Sequence, residues 1–274
     1  MSATTEPIVS ASPVKIAVWG PSESGKSVLL ASLDSARYEG WDISVRGEVF
    51  RKLALQPLTR NRPPKPTQLT AGGGNTVVCS FRKPGAPLIT AEIEDRAGEE
   101  WERAANEETS VSSGSSLDVL AGAKAAVLLY DLEAANDGEN MQRVTGICRR
   151  IKELWDGRGS NPLAVCMTKC DEKLTEPEQV IKAKVDPEGL IREILQPGRF
   201  DTILKLYRSY FDNVKFFPVS SLGLRMVYGA VAPVIFYDEN GELAVVSGSR
   251  EERDSWQINL TEPFVWIFET LGLS

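Results

Sequence analysis

Short, unbroken apolar runs recur along the chain, each stopping at a turn-forming or polar cluster. Lys15–Trp19 (KIAVW) stops at Gly20, Leu163–Met167 (LAVCM) at Thr168, and Ala125–Tyr130 (AAVLLY) and Val214–Phe217 behave alike. Apolar runs without polar alternation mark strands buried on both faces. Asn75–Arg82 and Leu88–Glu94 read as two further strands around a Lys-Pro-Gly turn. Between the strands the period changes. Ser27–Leu33 continues as a helix, Met141, Val144, Ile147, Ile151 and Leu154 recur at helical spacing, and 186–212 reads as mostly helical. Thr261 is expected to cap a last helix with Pro263 in its first turn, burying Phe264, Ile267 and Phe268. Strands alternating with helices require an α/β three-layer sandwich, a mostly parallel six-stranded sheet with helices on both faces. Val234–Tyr237 and Leu243–Val246, flanking Asp-Glu-Asn-Gly, add a β-hairpin. Residues 1–12 read as a disordered leader and 13–274 as one domain, with insertions at about 37–74, 172–212 and 233–247. The pattern over 37–52 is weak, 56–74 is a Pro- and Gly-rich loop, and the acidic, Ser-rich 99–118 reads as mobile.

Composition narrows the chemistry. The 274 residues carry a net charge of −7, which disfavours nucleic acid and anionic membrane as partners. There is no histidine, so His-based nucleophilic catalysis, His-ligated zinc and His pH switches are excluded. The four cysteines form no C-x-x-C pair; Cys166 reads as a small buried strand residue, and a cytoplasmic protein is expected. No apolar stretch approaches the roughly 20 residues of a membrane-spanning helix, and no membrane anchor is expected.

Gly20-Pro-Ser-Glu-Ser-Gly-Lys-Ser27 satisfies G-x-x-x-x-G-K-[ST] between a strand and a helix, the context in which such a loop binds a nucleoside triphosphate. Glycines let consecutive N–H groups curl around a diphosphate, and the helix aims its positive end there. Nucleotide-binding candidates are therefore Gly20, Ser22, Glu23, Ser24, Gly25, Lys26, Ser27 and Val28, with Lys26 on the β/γ oxygens and Ser27 on Mg²⁺. Asp95-Arg-Ala-Gly98 reads as D-x-x-G, its carboxylate on the metal side and a glycine N–H at the γ-phosphate. Thr168-Lys169-Cys170-Asp171 matches [NT]-K-x-D, in which the aspartate accepts from the ring N–H and exocyclic amine of guanine while the Lys169 stem packs along the base. Ser220, Ser221 and Leu222 follow the sixth strand, where a backbone N–H can meet the guanine carbonyl. Ligands in such sheets bind beyond the carboxyl ends of strands, and all four motifs fall there.

On these motifs the chain resembles the Ras-like small GTPase fold of the translation-factor-related P-loop GTPases, over about residues 14–272. The resemblance implies GTP and GDP with Mg²⁺ as cofactors, and a protein effector or regulator meeting the switch loops. It implies a catalytic set of Lys26, Thr67, Gly98 and Glu99 and a metal set of Ser27, Thr67 and Asp95. Thr67 is the choice for the switch threonine, with Thr70 and Thr76 as alternatives. Glu99 stands where such enzymes usually place a water-orienting glutamine, which points to slow intrinsic hydrolysis. Arg60, Arg62 or Arg96 as an internal arginine finger competes with their reading as solvated loop residues. Asn259–Trp266 is similar to the closing helix of bacterial "double-GTPase" proteins of conflict and signalling systems, although an ordinary amphipathic closing helix accounts for the same residues. Three readings remain: a GTP-hydrolysing switch, a GTP-sensing module with little hydrolysis, and an ATP-using P-loop enzyme, the last weakened by the TKCD and SSL elements.

Overall fold

The computed structural model describes residues 13–21, 24–34, 36–38, 40–46, 75–95, 121–132, 135, 138–155, 160–237, 243–245 and 257–273. The first apolar run forms β1 (Val14–Trp19) and the phosphate-loop sequence leads into α1 (Lys26–Leu33). There follow β2 (Arg37–Tyr38), β3 (Trp41–Arg46), β4 (Asn75–Arg82), β5 (Ile89–Asp95), β6 (Ala125–Asp131), α2 (Gly138–Leu154) and β7 (Leu163–Thr168). The chain continues through α3 (Pro177–Val185), α4 (Pro187–Ile194), α5 (Arg199–Tyr210) and β8 (Val214–Pro218). It closes with β9 (Leu224–Val227), β10 (Ala230–Pro233), β11 (Ile235–Tyr237), β12 (Leu243–Val245) and α6 (Glu262–Thr270).

The main sheet runs β2-β3-β4-β5-β1-β6-β7-β8. Strands β5, β1, β6, β7 and β8 are mutually parallel, and β2 to β5 pair antiparallel. The expected mostly parallel sheet is therefore present, but with eight strands where the sequence pattern predicts six. The extra two come from the stretch whose pattern is weak. There Trp41, Ile43 and Val45 point inward while Asp42, Ser44 and Arg46 face solvent, the alternation of a half-buried strand. The two-residue β2 does not reach Val45, and the Asp34 carboxylate takes the Val45 N–H instead at 3.0 Å. This side chain covers a donor that a sheet edge would leave bare.

Helices cover both faces. Alternate residues of β1 divide between two cores: Ile16 and Val18 pack with α1 and α6, and Ala17 and Trp19 pack with α2 to α5. The closing helix buries Phe264, Ile267 and Phe268 as predicted, with the rings of Phe264 and Phe268 at 5.7 and 4.9 Å from Phe81. Its start departs from expectation. Thr261 makes no side-chain cap; its hydroxyl and its N–H both turn to the Glu262 carboxylate, at 3.3 and 3.1 Å. The β11–β12 hairpin forms where the sequence places one. A second hairpin, β9–β10, lies outside the sequence expectation; its turn residues Tyr228 and Gly229 both have positive φ, 50° and 90°, as a two-residue hairpin turn requires. All four cysteines are free and buried, and burial raises the Cys166 thiol above its usual range. Among the described residues no helix is long and apolar enough to cross a membrane.

Truncating Phe268 removes a fully buried ring that holds the closing helix to β4. Phe268→Ala should cost about 3–5 kcal/mol in chemical denaturation; a change within about 0.5 kcal/mol would mean that α6 does not close this core.

Candidate nucleotide site

The site is assembled at one edge of the parallel half of the sheet. β5 ends at Asp95, opposite Val18 of β1, and β6 ends at Asp131, opposite Thr168 of β7. The loops after β1, β7 and β8 emerge along the same edge, so topology alone gathers four motifs that lie far apart in sequence.

The loop after β1 is shaped by two glycines. Gly25 precedes α1 with φ 88°, a conformation that side chains other than glycine's resist. At Gly20 a Cβ would sit 2.5 Å from Ser24 Oγ and 2.7 Å from the Leu129 carbonyl, so any larger residue forces the loop open. Lys26 folds back into the arc, its ammonium donating to the carbonyls of Gly20 at 2.7 Å and Pro21 at 2.9 Å. A buried cation at a helix start, inside a loop too tight for a Cβ, can serve as an anion cradle. Ser24 Oγ is buried in the same loop with no hydrogen-bond partner among the described residues, a polar atom that an incoming ligand or water can satisfy. Ser27 and Val28 are half-buried in the first turn of α1.

The loop after β7 is tied to this cradle. Thr168 Oγ1 donates to the Ser24 carbonyl at 2.9 Å and reaches the Tyr130 carbonyl at 3.4 Å. Lys169 takes φ 57°, and its ammonium pairs with Asp131 at 2.7 Å. Asp171 then sits in a single 3₁₀ turn, Cys170–Glu172, only 9% exposed. Burial pushes its carboxyl up to about 6; the Ser220 hydroxyl, its own backbone N–H and Lys169 pull it down, while Glu172 pushes it up. A carboxylate kept out of water can accept further hydrogen bonds from a ligand that brings N–H groups.

The loop after β8 holds that carboxylate from behind. Ser220 Oγ accepts from the Gly223 N–H at 3.0 Å, which leaves its proton for Asp171. Ser220 is fully buried, and Ser221 and Leu222 are half-buried. The structure therefore joins Gly20, Ser24, Gly25 and Lys26 to Thr168, and Asp171 to Ser220. Sequence reasoning misses Asp131; it ends its strand as Asp95 ends β5, and that repeated position is the available signal. For Asp95 only the backbone position is described; Thr76 lies exposed at the start of β4. Ser22, Glu23, Arg60, Arg62, Thr67, Thr70, Arg96, Gly98 and Glu99 lie outside the described residues, as do the leader and 99–118. Among the described residues no three His, Cys, Asp or Glu side chains cluster as metal ligands.

No protein-family model and no curated protein matches the chain. Among solved structures it is similar to the GDP-bound Roco2 RocCORdC of Methanosarcina barkeri, at 17% identity and a TM-score of 0.39 over 77% of this chain and 44% of that one. It is similar to the Arl6 small GTPase of Trypanosoma brucei with bound GppNp, at 14% identity and 0.40 over 96% and 100%. A third likeness is to a point variant of Era from Aquifex aeolicus bound to GDP·AlF4⁻, at 14% and 0.37 over 76% and 51%. The chain thus spans about half the length of the first and third. Likeness at this level carries no assignment; the strand-end geometry has to do so.

Because Asp171 has a higher pKa folded, about 6, than its ordinary 3.8, its contribution to stability is full below about 3.8 and is lost as pH rises through about 6. In the nucleotide-free chain Asp171→Asn should therefore gain on wild type as pH rises from about 4 to about 6, by on the order of 2 kcal/mol, then hold level. A stability difference independent of pH would mean that Asp171 is not buried as described.

Proposed function

We propose that the chain binds GTP and GDP with Mg²⁺ along this strand edge, hydrolyses GTP to GDP and phosphate, and acts as a nucleotide-dependent switch for a protein partner. The observation that carries the reading is Asp171, a buried carboxylate oriented by Ser220 and tied through Thr168 to the Lys26 cradle. Guanine offers it a ring N–H and an exocyclic amine; adenine offers no such pair. Lys26 and the loop amides bind the phosphates, Gly98 donates to the γ-phosphate, and Glu99 orients the attacking water. Ser27, at the start of α1, would hold Mg²⁺ with Asp95 and Thr67. Held by these residues, Mg²⁺ would supply charge neutralisation for the phosphates. The water oxygen bonds to the γ-phosphorus as the bond to the bridging oxygen breaks, leaving GDP. Partners meet the loops around Thr67 and 95–116, and four buried free thiols agree with a cytoplasmic setting.

A second reading, GTP sensing with little turnover, is favoured by one feature: Glu99 sets a carboxylate where glutamine is usual, and it repels the γ-phosphate. Single-turnover hydrolysis with GTP and ATP side by side separates the two. The switch reading expects slow GTP turnover and no ATP turnover; tight GTP binding without turnover gives the sensor, and preference for ATP contradicts both. Asp171→Asn should lower GTP affinity on the order of a hundredfold and raise xanthosine nucleotide affinity; unchanged GTP affinity would remove the guanine assignment. Lys26→Ala should abolish triphosphate binding in a chain that still folds, and retained binding would refute the phosphate loop.

A further inference from the structure

Between the loop after β8 and the closing helix the chain returns across the back of the guanine side, and three consecutive residues hold that loop. Gln257 Nε2 donates to the Ser221 carbonyl at 2.9 Å. Ile258 and Ser220 exchange backbone hydrogen bonds, Ser220 N–H to Ile258 at 3.1 Å and Ile258 N–H to Ser220 at 3.2 Å. Asn259, 3% exposed, donates its side-chain amide to two carbonyls, Ala183 at 2.8 Å and Pro218 at 2.9 Å.

The two acceptors show why an asparagine stands there. Ala183 lies in the last turn of α3, and the residue four positions on is Pro187, which has no N–H to give it. Pro218 ends the edge strand β8, two residues before Ser220. Both carbonyls need an outside donor, and one amide supplies two N–H groups. The Asn259 backbone has φ 48°, which asparagine tolerates better than most residues.

We propose that Asn259 is a positioning residue for guanine recognition: it locks the end of β8 to α3 and so fixes Ser220, whose hydroxyl orients Asp171 toward the base. The proposal rests on the guanine reading above. Asn259 spends its amide on the Ala183 and Pro218 carbonyls and acts through Ser220. Loss of its amide leaves the β8 loop held by the Ile258 and Gln257 bonds, slack enough for the Ser220 hydroxyl to leave the carboxylate.

The test is Asn259→Gly, which keeps the positive φ and removes the amide. GDP and IDP affinities are titrated from pH 5 to 8 on the variant and the wild-type chain. IDP lacks the exocyclic amine and so makes only one of the two bonds to Asp171. GDP affinity should fall about tenfold and IDP affinity less, shrinking the GDP-to-IDP ratio several-fold. The half-point of the acid loss of GDP binding should also move to higher pH, because Asp171 loses a donor while Lys169, Glu172 and Cys170 still face it. Equal losses for both nucleotides with an unmoved half-point, or no loss, would overturn the proposal. Should the glycine variant fail to fold, Ser220→Ala reads the same step without touching Asn259, and an unchanged ratio there overturns it as well. Wild-type chain that binds no GDP overturns the guanine reading and this inference together; GDP binding by wild type with an unaffected variant overturns the inference alone.

Discussion

A hydrogen bond from the Thr168 hydroxyl to the Ser24 carbonyl, 2.9 Å long, joins residues 144 positions apart. It requires β1 and β7 to end together, and they do so because β1, β6 and β7 are consecutive parallel strands. Each crossover returns the chain to the amino end of the sheet, so every strand of the parallel half delivers its last residues to the same edge. The Lys26 loop and the Asp171 carboxylate thus share a rigid frame built from the two cores. Apolar packing of β1, β6 and β7, nearly all of it fully buried, fixes the distance between the two halves of the site.

The frame holds two ionisable side chains out of water. Lys26 is buried with its ammonium turned onto carbonyls of its own loop, and Asp171 is buried with its ionised form disfavoured. For Asp171, burial of the ionised carboxyl does not by itself favour the folded chain. An N–H donor that reaches the Asp171 carboxylate would offset that cost. A ligand that binds there would also stabilise the fold by binding only the native state.

The parts of this arrangement legible in the sequence are those set by short-range rules. Glycine spacing betrays the cradle, since no other residue fits at Gly20 beside the Leu129 carbonyl. Unbroken apolar runs betray β1, β6 and β7 because those strands are covered on both faces. The edge strands are harder to read. β3 alternates over only six residues, and β2 is two residues long, so neither rises above the local background. The β9–β10 hairpin carries Tyr228 rather than the usual Asn or Asp in a turn that needs positive φ. Asn259 is legible only as a residue near a helix start. Its role depends on the carbonyls of Pro218 and Ala183, 41 and 76 positions away, and no local pattern records that.

On the proposed function the loops after β1, β7 and β8 share one ligand. Hydrogen–deuterium exchange of the whole chain with and without GDP and Mg²⁺ tests it most directly. Protection is expected in peptides covering 20–28, 168–172 and 218–223 together, at the same nucleotide concentration, with ADP giving none. Protection of the first loop alone, or equal protection by ADP, would contradict it.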